Sequence, residues 1–419
     1  MKIMHSKFPF LIGAFLICLN LQAQIQEVNP PDYIKSITFK STSSDLGELP
    51  ILKLGERFYL EFDALVTNEP DFYYKIEHYD YDWTESVLVR TEFLLGVDNF
   101  RIQDYRNSFN TFQIYSHYRL TIPNEQTRAL LVSGNYLISI FDRDDNLVFS
   151  RKLMVYEDIV TPGISIKRSR DVKTIDDTQT VDIEISTTSQ INNPLQTIKT
   201  LIIQNRNLNT AIKDIKPQYT IGNKLIYRYV NETAFPGGNE YLFFETKDLR
   251  AAAMGIQYIE LNDIYHSYLF TNQSRAELPY TYNPDINGQF KITAIDRDDV
   301  SVEADYVEVH FSLSYPELLN GENIYIYGNY NNYALEDYNK MVYYPEGKIY
   351  KAHFKLKQGF YNYKYVVVNA DGTLDEGRIS GNFWQTENNY KVLVYYRDLG
   401  ARYDQIIGFN EVSSINITN

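Results

Sequence analysis

An all-β protein built of antiparallel sandwiches is predicted by three observations. Apolar and polar residues alternate with period two in segment after segment, long helical periodicity is nearly absent, and turn residues separate the segments at short intervals. Composition agrees, because 37 Tyr and 23 Phe against 2 Trp are side chains suited to pleated, half-buried surfaces.

Along the chain, Phe58, Leu60 and Phe62 alternate with Arg57, Tyr59, Glu61 and Asp63, and Phe72 to Ile76 is strand-like. Tyr136, Ile138 and Ile140 lead into Asp142-Arg143-Asp144-Asp145-Asn146, which predicts a hairpin turn before Leu147-Val148-Phe149. Val181, Ile183 and Ile185 repeat the pattern, as do Val307, Val309, Phe311 and Leu313. Tyr350, Ala352, Phe354 and Leu356 alternate with Lys351, His353, Lys355 and Lys357, as in a strand that covers a core on one side only. Glu157 to Gly163 ends in a Pro-Gly turn, and the polar, proline-containing stretch Thr271 to Gly288 reads as a linker. These boundaries predict three tandem immunoglobulin-like sandwiches over 27–157, 158–275 and 290–400, with a C-terminal tail at 401–419.

The first 23 residues read as a signal peptide. Lys2 and Lys7 precede the apolar run Phe8 to Leu21, and Leu21-Gln22-Ala23 resembles a small-residue cleavage site. Cys18 is the one cysteine, so the chain after Ala23 has no thiol for a disulfide, a zinc–thiolate site or a nucleophile. Removing Lys2 and Lys7 leaves 38 basic against 54 acidic residues, a net charge near −16 that opposes unspecific binding to nucleic acid or anionic lipid. The expectation is a soluble, exported protein.

No motif for catalysis stands out. The histidines after the leader are His78, His117, His266, His310 and His353, and no two are spaced to bind one metal from a single element. There is no GxSxG elbow, P-loop or GxGxxG. The two DRDD stretches at 142–145 and 296–299 lack the glycine and terminal glutamate of an EF-hand loop and read as solvated turns. Nothing singles out a carboxylate pair for glycoside hydrolysis among 54 acidic residues. His78 to Ser86, "HYDYDWTES", reads as a strand leading into a turn, with Trp83 packed and Asp80, Asp82 and Thr84 as turn formers. No catalytic residue, metal or cofactor is predicted.

Residues 78–124 followed by "SGNYLISIFD" (133–142) resemble the first domain of the type IX secretion system plug proteins of Bacteroidota. Tyr105, Ser108, Asn110-Thr111, Tyr115, His117-Tyr118 and Ser133-Gly134-Asn135-Tyr136 carry the resemblance. "QNRNLNTAI" (204–212), "FPGGNEYLFFETKDLR" (235–250) and "YYRDLGARYDQIIGF" (395–409) extend it in order over nearly all the remaining chain. Tyr241-Leu242 stands where that family favours Phe-Arg. The resemblance implies a non-catalytic periplasmic protein, monomeric in its complex, that docks on the outer-membrane β-barrel translocon and closes its periplasmic mouth while no substrate passes.

A second resemblance implies an alternative. "IYIYGNYNNYALEDYNKM" (324–341) and "YKAHFKLKQGFYNYKYVVVNADG" (350–372) are similar to the starch- and glycogen-binding sandwich that precedes many glucan-processing enzymes. Tyr333 then stands at a sugar-stacking position and Lys364 on the same candidate carbohydrate surface, while Leu374 replaces the second ring. That reading predicts an α-glucan-binding protein in which Tyr333→Ala abolishes binding.

Overall fold

The computed structural model describes residues 24–41, 49–188, 191–318, 321–415 and 417, and the expected signal peptide lies outside them. Regular structure in the described residues is nearly all strand, in mostly antiparallel sheets that pack face to face. Among the described residues, no helix is long and apolar enough to cross a membrane.

In the N-terminal body, a four-stranded sheet runs Ile34–Ser41, Phe58–Ala64, Ser116–Ile122, Tyr105–Asn107. A five-stranded sheet runs Ile51–Lys53, Leu147–Tyr156, Gly134–Phe141, Tyr73–Tyr79, Phe100–Arg101. The alternating residues meet between them: Phe58, Leu60 and Phe62 from one sheet, Ile76, Tyr136, Ile138 and Phe149 from the other. Each such side chain taken from water stabilises the body by about 1.5–3 kcal/mol before entropy is counted. The expected hairpin at 142–146 joins its two strands in antiparallel register.

A middle body pairs one sheet of Gly163–Arg168, Thr178–Ser186, Lys224–Tyr227 and Tyr219–Ile221 with another of Ile212–Lys213, Ile198–Gln204, Asn389–Tyr396 and Gln405–Ser413. Here the tandem order fails. Residues 389–413, divided above between a third sandwich and a tail, complete this sheet, with Ile198 opposite Tyr396 and Gln204 opposite Tyr390. The reason lies in Tyr390 to Tyr396, which alternates between two apolar environments. Tyr390, Val392 and Val394 enter the middle core, while Leu393 and Tyr395 enter a separate cluster shared with the N-terminal body. A sheet covered on both faces has a near-continuous apolar sequence, whatever its connections.

The third body is therefore inserted into the middle one, and it begins earlier than 290. Leu242–Glu245 pairs with Gly359–Val368, and Ile256–Leu261 and Tyr265–Leu269 join the sheet of Tyr306–Ser314 and Ile349–Lys357. The stretch 271–288 is not a linker but a strap on this body. Asn272–Gln273 pairs with Tyr306–Ser314, Tyr280 Oη donates to Glu240 at 2.5 Å, and the half-buried Asp285 carboxylate accepts the backbone N–H groups of Tyr241 and Asn287.

Candidate functional site

The turn after Tyr73–Tyr79 is made by Trp83, whose φ of 64° folds the chain back so that Asp80 N–H donates to Thr84 O at 2.9 Å. Asp82 Oδ1 accepts from Thr84 N and Oγ1, at 3.1 and 2.6 Å, the Asx-turn chemistry expected of this stretch. The turn carries Tyr79, Tyr81 and Trp83 out of the N-terminal core and into a cluster with Leu201, Ile203, Leu393, Tyr395 and Ile406 of the middle body. The Lys152 ammonium lies 4.5 Å from the Trp83 ring centroid.

Polar groups around that cluster are paired across the seam. Tyr81 N–H donates to Asp404 Oδ2 (3.0 Å), Asp404 N–H to Asp80 Oδ1 (3.0 Å), and Tyr81 Oη to Thr200 O (2.9 Å). Arg397 reaches Asp80 at 3.2 Å and Lys199 reaches Asp404 at 3.4 Å. Tyr395 Oη donates to Asn135 Oδ1, and Asn135 Nδ2 to Asp80 O. His78 is buried beside them, with Nδ1 2.8 Å from Ser86 Oγ and Nε2 3.3 Å from Ser133 O. Burial pulls its pKa down to about 4, so the imidazole is neutral. The Ser133 carbonyl then requires the ring hydrogen on Nε2, leaving Nδ1 to accept from Ser86. A Cβ on Gly134 would lie 2.3 Å from His78 Nε2, which explains the glycine of the Ser-Gly-Asn-Tyr segment. Three segments that carried the plug-family resemblance, at 78–84, 133–136 and 395–409, thus meet at one seam.

A second seam joins the N-terminal and third bodies. Asp63, expected on an exposed face, is fully buried and accepts from Lys357 Nζ (2.6 Å) and Tyr306 Oη (2.7 Å), with His117 Nδ1 at 2.7 Å. Burial opposes ionisation of Asp63, yet Lys357 and His117 together hold its carboxyl below the ordinary value. Above this group, the loop 108–115 is pinned by its backbone. Phe109 N–H donates to Val302 O (2.9 Å), while Phe112 and Gln113 N–H donate to the Asp305 carboxylate (2.8 and 3.1 Å). Tyr115 is fully buried, its hydroxyl donating to Ala304 O at 2.8 Å. The loop's other apolar side chains face solvent: Phe109, Phe112 and Ile114 are 68%, 54% and 56% exposed. Local sequence does not separate these three outward residues from Tyr115. The missing signal is the third body, which covers one side of the loop only.

The candidate carbohydrate surface is corrected by the third seam, between middle and third bodies. Tyr333 is 2% exposed, its ring packed against Tyr327 and its hydroxyl donating to Asn205 O at 2.8 Å. A ring with both faces covered has none to stack on a sugar. Lys364 is buried as well, ion-paired with Glu376 and 4.9 Å from the Tyr241 ring centroid. Asn207 Nδ2 donates to Tyr327 Oη at 2.9 Å, and Phe383 N–H to Gly238 O at 2.8 Å, so the segments at 204–212 and 235–250 also border this joint.

The acidic turns are closed on themselves. Asp142 Oδ1 accepts the backbone N–H groups of Asp144 and Asn146, and Asp299 caps the short helix Val300–Glu303 while pairing with Arg106. Among the described residues, no three His, Cys, Asp or Glu side chains converge on one metal position. A cleft of about 90 Å³ between the N-terminal and third bodies, lined in part by Lys35, Arg151, Tyr330 and Phe354, has room for a few waters. It falls well short of the roughly 300 Å³ at which small-molecule pockets begin.

What fold and seams define is a class: all-β sandwiches fused side by side, with buried polar and aromatic residues at the joints. Two comparisons narrow the class. The first domain of the type 9 secretion system plug proteins matches residues 34–157. The crystal structure of a hypothetical protein from Parabacteroides merdae superimposes with a TM-score of 0.89 at 33% identity, covering 94% of this chain and 100% of the other. A biofilm-associated protein B domain, at 7% identity and a TM-score of 0.16, carries no argument. No curated protein matches. The chain belongs to the type IX secretion system plug protein family.

Proposed function

We propose that this protein is a non-catalytic periplasmic plug, exported by its N-terminal segment. It docks on the outer-membrane translocon of the type IX system and seals the periplasmic opening when no substrate passes. The observation that carries the reading is the plug-domain match over 34–157. Physical support comes from the seams. A stopper must resist deformation more than it must perform chemistry, and three bodies joined by buried ion pairs and aromatic clusters form a stiff block. Phe109, Phe112 and Ile114 are the contact residues we assign to the docking surface. Their loop is already ordered by Asp305 and Val302, so docking costs little conformational entropy, and central aromatic anchors carry most of the affinity in such interfaces.

The test is affinity purification of the chromosomally tagged protein from mildly solubilised envelope, with mass spectrometry of what accompanies it. One very large outer-membrane β-barrel should be recovered, preferentially from cells lacking secretion substrate. Phe112→Ser/Ile114→Ser should reduce that recovery at least tenfold while leaving thermal unfolding unchanged. Absence of the barrel refutes the plug reading; unchanged recovery by the double variant refutes only the docking loop.

A further inference from the structure

In the sheet that carries Tyr306–Ser314 and Ile349–Lys357, the outermost strand is Ile256–Leu261. It pairs with Tyr265–Leu269 on one side and, among the described residues, with no strand on the other. A bulge disturbs its start, and its register is regular from Tyr258 to Leu261. The strand reads Ile-Gln-Tyr-Ile-Glu-Leu, without the proline or lysine that commonly keeps an open edge from pairing. A row of rings crosses the face of this sheet turned away from its core and stops at that edge. His353 is opposite His310, His310 opposite Tyr268, and Tyr268 opposite Tyr258. Their centroids are successively 5.2, 4.1 and 4.3 Å apart, and neighbouring planes are within 25° of parallel. Tyr268 and His310 are thus covered on both faces. The Tyr258 ring is covered on one, is 48% exposed, and turns its other face to the open edge. Glu260, two residues along and on the same face, accepts only a 3.4 Å bond from Tyr268 Oη, and the exposed Asp263 follows it. Among the described residues, neither carboxylate is paired with a cation. The strand ends beside the loop 108–115: Leu261 is opposite Tyr265, whose ring meets Phe112 edge-on at 5.4 Å. Leu261, like Met254 and Phe270 past the strand's start, is at least half exposed.

We propose that Ile256–Leu261 takes up an extended segment of the partner that docks on the 108–115 loop, and that this segment pairs along the open edge as one more strand. The inference rests on the docking reading above and adds to it the chemistry of what is bound. Unpaired backbone groups on an edge accept any extended chain, so the side chains beside them make the selection. The position opposite Tyr258 fits an aromatic ring, which continues the stack across the sheet. The position opposite Glu260 fits a lysine or arginine, which gives that carboxylate, with Asp263 next to it, the cation it lacks. Side chains two apart share one face of a strand, so the bound segment carries an aromatic and a basic residue with one residue between them. A second copy of this chain is a poor occupant, because it brings the same acidic excess and its own edge strand holds no basic residue. Leu261 and Phe112 place the edge and the loop on one continuous surface, so a single partner segment can run from one to the other.

The test is photo-cross-linking in living cells. p-Benzoylphenylalanine replaces Tyr258 in one strain and Phe112 in another, in the chromosomally tagged full chain, and the products are mapped by mass spectrometry. The probe at 258 should join the same outer-membrane barrel that the probe at 112 reaches, through a segment with an aromatic and a basic residue one position apart. Glu260→Lys, at an exposed position, should lower the yield from 258 about tenfold, since it turns an attractive cross-strand pair into a repulsive one. It should leave the yield from 112 and thermal unfolding unchanged. A barrel product from 112 but not from 258, a joined segment without the aromatic and basic pair, an unchanged yield in Glu260→Lys, or a product joining two copies of this chain each overturns the inference. No barrel product from either position removes the docking reading and this inference with it.

Discussion

Replacing Lys357 by Met removes one charge from the joint between the N-terminal and third bodies and leaves the other in place. The Asp63 and Lys357 side chains are 1% and 2% exposed, so the carboxylate cannot turn to solvent. Breaking a buried pair from one side costs about 3–5 kcal/mol, because the remaining charge keeps its desolvation penalty. Two features place this case near the lower end. His117 and Tyr306 still hold Asp63, and the Met side chain still covers the Tyr115 ring, over which the ammonium sits at 4.2 Å. The loss of the bond from Lys357 Nζ to Ser301 O pulls the other way. Lys357→Met should therefore cost about 3 kcal/mol, and Asp63→Asn/Lys357→Met should recover most of it, since matched removal of a buried pair is often neutral. Urea unfolding followed by tryptophan fluorescence and hydrogen exchange measures both, the exchange reporting whether amides at 108–115 lose protection. pH supplies an independent arm. The folded pKa of Asp63 is below its ordinary 3.8, so its contribution is present above that value and lost as pH falls through the lower folded value. A single variant costing under about 1 kcal/mol, or a double variant worse than the single, refutes the assignment of this pair as a strut.

Gly134→Ala should destabilise by about 2 kcal/mol or more through overpacking against His78. Gly372→Ala, at φ +85° with nothing within 4 Å, should cost only backbone strain, roughly 1 kcal/mol, and equal losses in thermal unfolding would refute the difference. His78 has a folded pKa lowered to about 4, so the unfolded chain binds its proton first. Stability should fall by about 3 kcal/mol as pH drops from 6.5 towards 4, and a His78 ring titrating near 6.5 by NMR refutes this. Tyr333→Ala should cost about 3–5 kcal/mol, as for other buried aromatics, without changing retention on α-glucan. Loss of glucan retention with unchanged stability would restore the carbohydrate reading.

Strands were legible in the sequence where one face is dry and the other wet. The runs beginning at Phe58, Tyr136, Val181, Val307 and Tyr350 all lie in strands. What the pattern could not show is what covers the polar face. Asp63 and Lys357 occupy outward positions in their strands and look solvated in sequence, yet each is the other's partner across nearly three hundred residues. Tyr333 is ambiguous for the same reason, because a ring that fills an inter-body joint and one that stacks on sugar have the same local sequence. The segments at 78–124 and 133–142 that carried the family resemblance lie inside the matched first domain. Their use as joints depends on the fold bringing 78–84, 133–136 and 395–409 together in space.

The return of residues 389–413 to the middle body also fixes an order of events in time. The N-terminal body is complete once residue 156 is available, and local pairings such as Gly134–Phe141 with Leu147–Tyr156 can close early. Ile198–Gln204 must instead wait for Asn389–Tyr396 while the whole third body is made and folded between them. Until then one half-finished sheet keeps an open edge and two apolar faces, which is where strand addition and aggregation begin. Truncation before residue 389 would leave Ile198–Gln204 without the strand that pairs with it, and its apolar residues uncovered.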